Sequence, residues 1–181
     1  IKEALKSKSV GITGCGGLGS NCAVALARMG VGEMIIADFD VVDASNFTQK
    51  YYFYEKKKKK KVFALADNLY YIDPFATIKP YDLKLGPKEI KRIFADCDLI
   101  VEAFDLAEMK QMMIETCSEA FPEKPLIIGS GMAGWGKSNS IKTEKIGENL
   151  YVCGDRESEI ADDLPPLAPR VGIVAYMQAN A

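Results

Sequence analysis

The chain has 181 residues, of which 48% are hydrophobic and 27% charged, a balance typical of a folded domain and not of a disordered segment. Its formal net charge of −2 gives no overall attraction to nucleic acid or to a membrane surface. The sequence contains no histidine, which removes the commonest general base and metal ligand and with them most Ser/His, Cys/His and His–metal mechanisms.

The cysteines and the apolar runs exclude further classes of protein. The five cysteines have no C-x-x-C spacing, which argues against a zinc ribbon, and their odd number argues against a disulfide framework. The apolar runs are short and no signal-peptide pattern opens the chain. We therefore expect a soluble, cytoplasmic protein that has neither a membrane nor a nucleic acid as its partner.

Strand-like and helix-like segments alternate along the chain. The predicted elements are, in order, a strand at 9–13, a helix at 18–29 closed by Gly30, a strand at 33–38, a helix that includes 62–69 and ends at Asp73-Pro74, a strand at 76–80, a helix at 87–95, a strand at 98–104, a helix with Met109, Met112, Met113 and Cys117 on one face, a strand at 126–128, a ribbon of 141–146 and 150–153, a polar loop at 154–169 and a last helix at 171–181. This order predicts an α/β fold: a doubly wound, Rossmann-like, mainly parallel sheet with a C-terminal antiparallel ribbon and a crossover loop.

A glycine-rich turn joins the first predicted strand to the first helix. The glycines are Gly14, Gly16, Gly17 and Gly19. Glycines let the backbone turn tightly and approach a ligand, while the first N–H groups of the helix point towards an anion. We expect these four residues to bind nucleotide phosphates. The motif by itself also fits an ordinary tight turn.

An acidic cluster ends the next predicted strand. Asp38 lies 24 residues after Gly14, at the position where a carboxylate commonly binds a nucleotide ribose. A surface acid in a turn is the alternative interpretation. Asp40 is included in the nucleotide-binding set, although a structural role suits it better.

The lysine run 56–61 leads into a predicted helix N-terminus. Each cation there opposes the helix dipole by about 0.3–1 kcal/mol, so an anion such as a triphosphate among the lysines would explain the run. A solvated, charged face is the alternative interpretation.

Three further residues stand near the ends of predicted strands. Asp105 follows the buried strand at 98–104, where it can hold Mg²⁺ or fix a ligand, or else cap the next helix. Glu102 lies within that strand and is given no role. Cys153 precedes a polar loop and is either a buried small hydrophobe or a nucleophile.

Taken together, these motifs resemble the ThiF/MoeB/HesA adenylating family, the bacterial relatives of ubiquitin-activating enzymes. The family pattern G-x-G-G-x-G-S matches 14–20, and D-x-D-x-V-x-x-S-N matches 38–46. A family lysine then falls on Lys61, and a late aspartate falls on Asp105. The resemblance covers nearly the whole chain and is greatest to short ThiF proteins of thiamine biosynthesis, including 168–172 and 177–180.

The resemblance implies that 1–181 is a single adenylation domain that binds ATP and Mg²⁺. Lys61 would contact the phosphates, Asp105 would hold Mg²⁺, Asn46 would orient the phosphate region and Asp38 would bind the ribose. It also implies a partner, a ThiS-type ubiquitin-like sulfur carrier whose terminal Gly-Gly carboxylate is adenylated. Family members dimerise, so a homodimer is expected, with the helix at 171–177 as one candidate face.

Two departures from the family pattern matter. The family arginine is Gln49 here, with Lys50 beside it, and both are assigned to the nucleotide site. Lysine supplies a charge but not the bidentate fork of arginine, so activity could be reduced. The C-x-x-C motifs of longer relatives are absent, so no zinc is expected, and the cysteine nucleophile of some members is not assigned to Cys153.

Other functions remain open at this point. A related family member would activate a molybdopterin-type carrier or a tRNA base with the same ATP chemistry. An NAD-dependent oxidoreductase would also use the glycine turn and Asp38, although it commonly needs a histidine or a Tyr/Lys pair. A binding module that holds a carrier without activating it is the third possibility, and Gln49 is its main support.

Overall fold

The computed structural model describes residues 1–43, 48 and 50–181 of the chain. The strands are β1 (Ser9–Thr13), β2 (Glu33–Asp38), β3 (Thr77–Asp82), β4 (Leu99–Glu102), β5 (Leu126–Gly129), β6 (Lys142–Ile146) and β7 (Leu150–Gly154). The helices are α1 (Lys2–Lys6), α2 (Gly17–Met29), α3 (Lys61–Ile72), α4 (Pro87–Ile93), α5 (Ala107–Ala120) and α6 (Ala168–Asn180), with short 3-10 turns at Tyr54–Lys56 and Ser138–Ser140. No helix in the described ranges is long and apolar enough to cross a bilayer.

Within the described residues, seven strands form one sheet in the order β3-β2-β1-β4-β5-β7-β6. All neighbouring pairs are parallel except β6 and β7, which form the expected antiparallel ribbon. The order of connection reverses between β1 and β4, and doubly wound sheets bind their ligands beyond the carboxyl ends of the strands at such a point. The predicted fold class is confirmed.

Helices cover both faces of the sheet because successive strand residues point to opposite sides. In β4, Val101 packs in the cluster that includes residues of α2, α3 and α6, whereas Ile100 packs in the cluster that includes residues of α4 and α5. Strands covered on both faces contain near-continuous apolar runs. This burial is why the sequence around β4 lacks the polar alternation of a half-exposed strand.

Most predicted elements are present, but some boundaries differ. The strand predicted at 98–104 ends at Glu102, because the N–H of Phe104 turns back to donate to the Glu102 side chain. Strand β3 runs through Pro80 as far as Asp82, and the proline is tolerated because β3 lies at the edge of the sheet. Helix α2 ends as predicted at Gly30, which has a left-handed conformation with φ 86°.

The last helix buries several of its apolar residues within the chain. Val171, Val174 and Ala175 are buried within the chain, where α6 packs against α2. Tyr176 is an exposed aromatic residue of this helix. These three apolar residues of α6 therefore belong to the intramolecular core, and the dimer face stays a prediction.

Candidate active site

The glycine turn between β1 and α2 is closely packed on two sides and open on a third. Gly14 has φ 85°, and a β-carbon there would lie 2.8 Å from the carbonyl oxygen of Ala103. A β-carbon on Gly19, at the start of α2, would overlap the carbonyl oxygen of Gly14. Gly16, in contrast, has free space beside it and lines a cavity of about 210 Å³, hereafter the first cavity. The turn therefore presents its backbone to this cavity.

Asp38 is held beside the glycine turn by two backbone N–H groups. Its Oδ2 accepts a hydrogen bond from the N–H of Cys15 at 2.7 Å, and its Oδ1 accepts one from the N–H of Asp40 at 2.8 Å. The side chain lines the first cavity. The carboxylate thus occupies a fixed position at the end of β2, as a ribose-binding role requires.

Lys61 is the first residue of α3 and lines the first cavity with a side chain that is 7% exposed. Its Nζ lies 2.6 Å from Oδ2 of Asp40. Burial lowers the pKa of Lys61, but the hydrogen bond to Asp40 and the charges of Asp38, Asp40 and Asp105 outweigh burial and raise it. Lys61 is therefore a permanent cation that Asp40 holds in the cavity.

Carboxylates of the chain face other members of the lysine run. Lys56 and Lys59 lie 3.1 and 3.2 Å from Oδ2 of Asp67, which is on α3. Lys60 lies 3.1 Å from Oδ1 of Asp82 at the end of β3. Of the lysines in the run, only Lys61 is among the residues that line the first cavity. Carboxylates of α3 and β3 thus pair with Lys56, Lys59 and Lys60, so a bound anion is not needed to explain these three lysines.

Asp105 lies on the wall between two cavities. It lines the first cavity together with Gly14, Asp38 and Lys61, and it also lines a second cavity of about 220 Å³. The side chain is exposed and makes no hydrogen bond to a described residue. Leu106 occupies the N-cap position of α5 without any side-chain cap, so Asp105 does not serve as the helix cap considered above.

The second cavity has a mainly apolar lining with one lysine. It is lined by Gly17, Leu18, Lys50, Asp105, Met132, Ile160, Pro166 and Val171. Lys50 lies here and is not among the residues that line the first cavity. Burial, followed by the charge of Lys61, lowers the pKa of Lys50 despite the nearby carboxylates. Asn46 and Gln49, which the sequence also assigned to the site, lie outside the described residues.

Tyr52 is a contributor that the sequence reading did not single out. It is buried, and its hydroxyl donates to the carbonyl oxygen of Cys15 at 2.7 Å and lies 3.4 Å from that of Lys61. The neighbouring N–H of Tyr51 donates to Oγ of Ser20 at 2.9 Å. Tyr52 thereby joins the glycine turn to the start of α3. Nothing in the local pattern marks this role, because it depends on contacts across 37 and 9 residues.

A third group of residues covers the same edge of the sheet beyond β5 and β7. The N–H of Gly134 donates to the carbonyl oxygen of Pro165 at 2.9 Å, so the loops after β5 and β7 are bonded to each other. Arg170 of α6 is buried, pairs with Asp155 and donates to the carbonyl oxygen of Gly136 at 2.8 Å. We call these two bonded loops, residues 131–137 and 155–166, the strap. The polar loop of the sequence is therefore held to its neighbours by specific contacts.

Cys153 does not have the environment of a nucleophile. Its side chain is fully buried, and its Sγ lies 3.4 Å from Oγ1 of Thr143. Burial raises the pKa of the thiol, which lowers the fraction of reactive thiolate. Among the described residues, no group of three or more Cys, Asp or Glu side chains is arranged to hold a metal ion. Asp105 would therefore ligate a metal only together with oxygens of a ligand.

Comparison with known proteins identifies relatives of the whole chain. A model of the ThiF family matches residues 2–181. The molybdopterin-synthase adenylyltransferase of Escherichia coli strain K12 is 30% identical over 183 residues, which cover 98% of this chain and 72% of that protein. The probable adenylyltransferase/sulfurtransferase MoeZ of Mycobacterium tuberculosis strain H37Rv is 31% identical over 130 residues, which cover 71% of this chain and 33% of that protein.

Solved structures have the same fold. The E. coli tRNA N6-threonylcarbamoyladenosine dehydratase TcdA, in complex with ATP, matches with a TM-score of 0.88 at 16% identity, over 98% of this chain and 85% of that chain. E. coli MccB with ATP matches with a TM-score of 0.75 at 21% identity, over 99% of this chain and 55% of that chain. At these identities the likeness establishes the architecture alone.

Proposed function

The chain belongs to the ThiF family and is an adenylyltransferase, and from that premise we propose that it uses ATP to activate the C-terminal carboxylate of a small ubiquitin-like carrier protein. The observation that carries this proposal is the position of Asp105 between two cavities, with Lys61 in the first and Lys50 in the second. A two-substrate transfer needs adjoining sites for the nucleotide and the acceptor, and two cavities that share Asp105 support such an arrangement.

The first cavity suits the nucleotide. The backbone of the glycine turn at the start of α2 would face the phosphates, where peptide N–H groups and the helix dipole favour an anion. Asp38, already fixed by the N–H of Cys15, would accept hydrogen bonds from the ribose hydroxyls. Lys61 would exchange its contact with Asp40 for one with the phosphates. Both Asp38 and Lys61 are in position before the ligand arrives, which reduces the ordering cost of binding.

The donor set at Asp105 fits Mg²⁺. Nucleotide-bound Mg²⁺ is commonly held by one or two carboxylates together with phosphate oxygens, and Asp105 is an exposed carboxylate with no hydrogen bond to a described residue. When bound, the ion supplies neutralisation of phosphate charge. Asn46 is assigned, from the resemblance, to orient the phosphate region. No zinc takes part in the proposal.

The second cavity suits the acceptor. Its apolar walls fit a narrow, extended chain end, and Lys50 would attract a terminal carboxylate towards Asp105. In the reaction, a carboxylate oxygen of the carrier bonds to the α-phosphorus of ATP, and the bond from that phosphorus to pyrophosphate breaks. Pyrophosphate leaves with the bonding electron pair, and an acyl-adenylate remains. Because a carboxylate is already deprotonated at neutral pH, the step depends on position and charge and needs no histidine base.

The carrier we propose is of the ThiS type, with thiamine thiazole biosynthesis as the process served. Its support is the resemblance of 168–172 and 177–180 to short ThiF proteins. A molybdopterin-type carrier is the second candidate, favoured by the 30% identity to the E. coli molybdopterin-synthase adenylyltransferase. A tRNA base is the third candidate, as for some members of the family that the motifs resemble, although this chain has no excess of positive charge.

The proposal includes a homodimer in the cytoplasm, with the helix at 171–177 as one candidate face. Light scattering at micromolar concentration should give twice the chain mass. A monomeric mass would remove the dimer and leave the adenylation proposal intact.

The decisive experiment is ATP–pyrophosphate exchange with and without a carrier that ends in Gly-Gly. We expect exchange that requires the carrier, is fastest with a ThiS-type protein, and falls at least about 100-fold in Lys61→Ala and Asp105→Ala, as when a preorganised charge contact is removed. Lys57→Ala is the matched control, because Lys57 belongs to the same lysine run but is exposed. It should retain wild-type exchange.

The outcomes separate the candidate functions. Faster exchange with a molybdopterin-type carrier would reassign the partner and keep the chemistry. No exchange with any Gly-Gly carrier or with tRNA, together with tight NAD binding, would favour the oxidoreductase. Carrier binding without exchange would favour a module that holds its partner without activating it.

A further inference from the structure

Glu102 is a carboxylate without solvent exposure at the end of the central strand β4, three residues before Asp105. Its neighbours Val101 and Ala103 are buried and apolar. A charge in such surroundings is costly unless it is both paired and hydrogen-bonded. The contacts of Glu102 therefore indicate what this residue does.

Both the side chain and the backbone of Glu102 are held. Its Oε1 accepts a hydrogen bond from the N–H of Phe104 at 2.6 Å, and Nζ of Lys110 lies 3.0 and 2.9 Å from the two carboxylate oxygens. On the other side, Nε2 of Gln178 in α6 donates to the carbonyl oxygen of Glu102 at 2.9 Å. One residue thus joins β4, α5 and α6.

These contacts enclose the turn that carries Asp105. Glu102 precedes the turn, Lys110 follows it on α5, and the hydrogen bond to Phe104 lies within it. Several residues of the enclosed segment line the first cavity; they are Ala103, Phe104, Asp105, Leu106, Glu108 and Met109. Asp105 itself makes no hydrogen bond to a described residue, so its position depends on the residues on either side of it.

We propose that Glu102, together with Lys110, is a positioning residue that fixes the β4–α5 turn so that Asp105 faces the nucleotide phosphates. The inference rests on the proposed function, in which Asp105 holds Mg²⁺ beside ATP. A carboxylate that must meet a metal and a phosphate loses effectiveness with displacements of about 1 Å, and such a displacement can cost about 100-fold in rate.

A buried ion pair with a purely structural role would have the same contacts. The test therefore needs a measured quantity that does not change when only the stability of the fold changes. We choose the affinity for ATP measured by calorimetry with Mg²⁺ and with a chelator. The variant is the double substitution Glu102→Gln/Lys110→Gln, which keeps hydrogen-bonding groups at both positions but removes both charges. The control is Lys91→Gln/Glu119→Gln, an exposed pair 3.0 Å apart that joins α4 to the far end of α5.

The proposal predicts a selective loss. In the double variant, the gain in ATP affinity that Mg²⁺ gives the wild type should shrink at least about tenfold, by analogy with the loss of residues behind metal ligands. The affinity of the double variant for ATP in the presence of the chelator should stay within about twofold of the wild-type value, because Asp38, Lys61 and the glycine turn are unchanged. The control pair should keep both values. An unchanged Mg²⁺ gain in the folded double variant would overturn the proposal.

A second variant covers the case in which the double variant does not fold. Lys110→Gln alone keeps Glu102 and its bond from Phe104, and the Lys110 side chain is 20% exposed. It should show the same selective loss, and an unchanged Mg²⁺ gain would again overturn the proposal.

The wild type separates this inference from the proposed function. A wild type in which Mg²⁺ gives no gain would remove the role of Asp105, and the positioning role with it. A wild type with a normal Mg²⁺ gain but no exchange with any carrier would overturn the proposed function alone.

Discussion

The two halves of the sheet's carboxyl edge are built in different ways. On the nucleotide half, the glycine turn, Asp38 and Lys61 lie at the ends of elements, and the backbone N–H groups of Cys15 and Asp40 fix the carboxylate of Asp38. On the strap half, Arg170 reaches from α6 to carbonyl and carboxylate oxygens on two separate loops. The position of Asp38 thus depends on backbone donors, whereas a buried side chain ties the two loops of the strap to α6.

This difference has a consequence for function. The glycine turn of the nucleotide half is held by its own close packing and by a hydrogen bond from Tyr52. The strap half contributes Met132, Ile160 and Pro166 to the lining of the second cavity, so it is the half that would meet a protein partner. Its loops are held by Arg170 in addition to backbone hydrogen bonds. The predictions below test this contrast.

The largest effect should come from Arg170→Met. This change removes the cation that faces the mostly buried Asp155, which keeps its hydrogen bonds from Ser158 and Glu157. Removing one member of a buried pair costs up to about 3–5 kcal/mol, and the remaining hydrogen bonds should hold the loss below that limit. Urea unfolding measures the loss. Arg156→Met is the control, because Arg156 pairs with Glu144 at the surface and such pairs contribute at most about 1 kcal/mol. Equal losses in the two variants would contradict the claim that the strap depends on Arg170.

The glycine turn should respond to a single methyl group according to position. Gly19→Ala places a β-carbon against the carbonyl oxygen of Gly14, and such overpacking costs about 1–3 kcal/mol. Gly16→Ala meets no atom within 4 Å and has φ −77°, which residues with a β-carbon adopt, so it should cost less stability than Gly19→Ala. Thermal unfolding of the two variants compares them. If Gly16→Ala were the more damaging, backbone packing would not define this half.

Tyr52→Phe should show a smaller loss. It removes the hydrogen bond to the carbonyl oxygen of Cys15 in a buried position, which costs about 1 kcal/mol. Tyr71→Phe is the control, because Tyr71 is 87% exposed. Chemical unfolding should separate the two. An unchanged stability in Tyr52→Phe would mean that the turn is held without this link.

The smallest effect concerns pH. Burial raises the pKa of Asp155, but hydrogen bonds from Ser158 and Glu157 and the charge of Arg170 outweigh it, and the pKa is lowered. The unfolded chain then binds the proton more readily, so this stabilisation is present at neutral pH and is lost as the pH falls through the acid range. The double variant Asp155→Asn/Arg170→Met should lose less stability than the wild type between about pH 6 and about pH 3. A steeper loss in the variant would contradict the sign.

Much of the nucleotide half was predictable because its signals are local. A strand, a glycine turn and a helix follow one another in the chain, and a parallel sheet brings the ends of β1, β2 and β4 to one edge. Asp38 and Asp105 are therefore expected near each other, and the family resemblance adds Lys61; all three line one cavity. The partners of the other lysines were not predictable, since Asp67 and Asp82 come from later elements.

The sequence by itself determined the order of the elements, the doubly wound sheet and the acidic and basic groups at its edge, because periodicity and turn residues act over short distances. Only the tertiary structure decided that α6 buries several of its apolar residues, that Cys153 is buried, that Lys50 lines the second cavity and that Glu102 holds the turn of Asp105. These features arise because side chains distant in sequence pack together in one interior of low dielectric constant. In that interior a charge is costly unless it is paired, and an apolar surface is stabilised by packing against another.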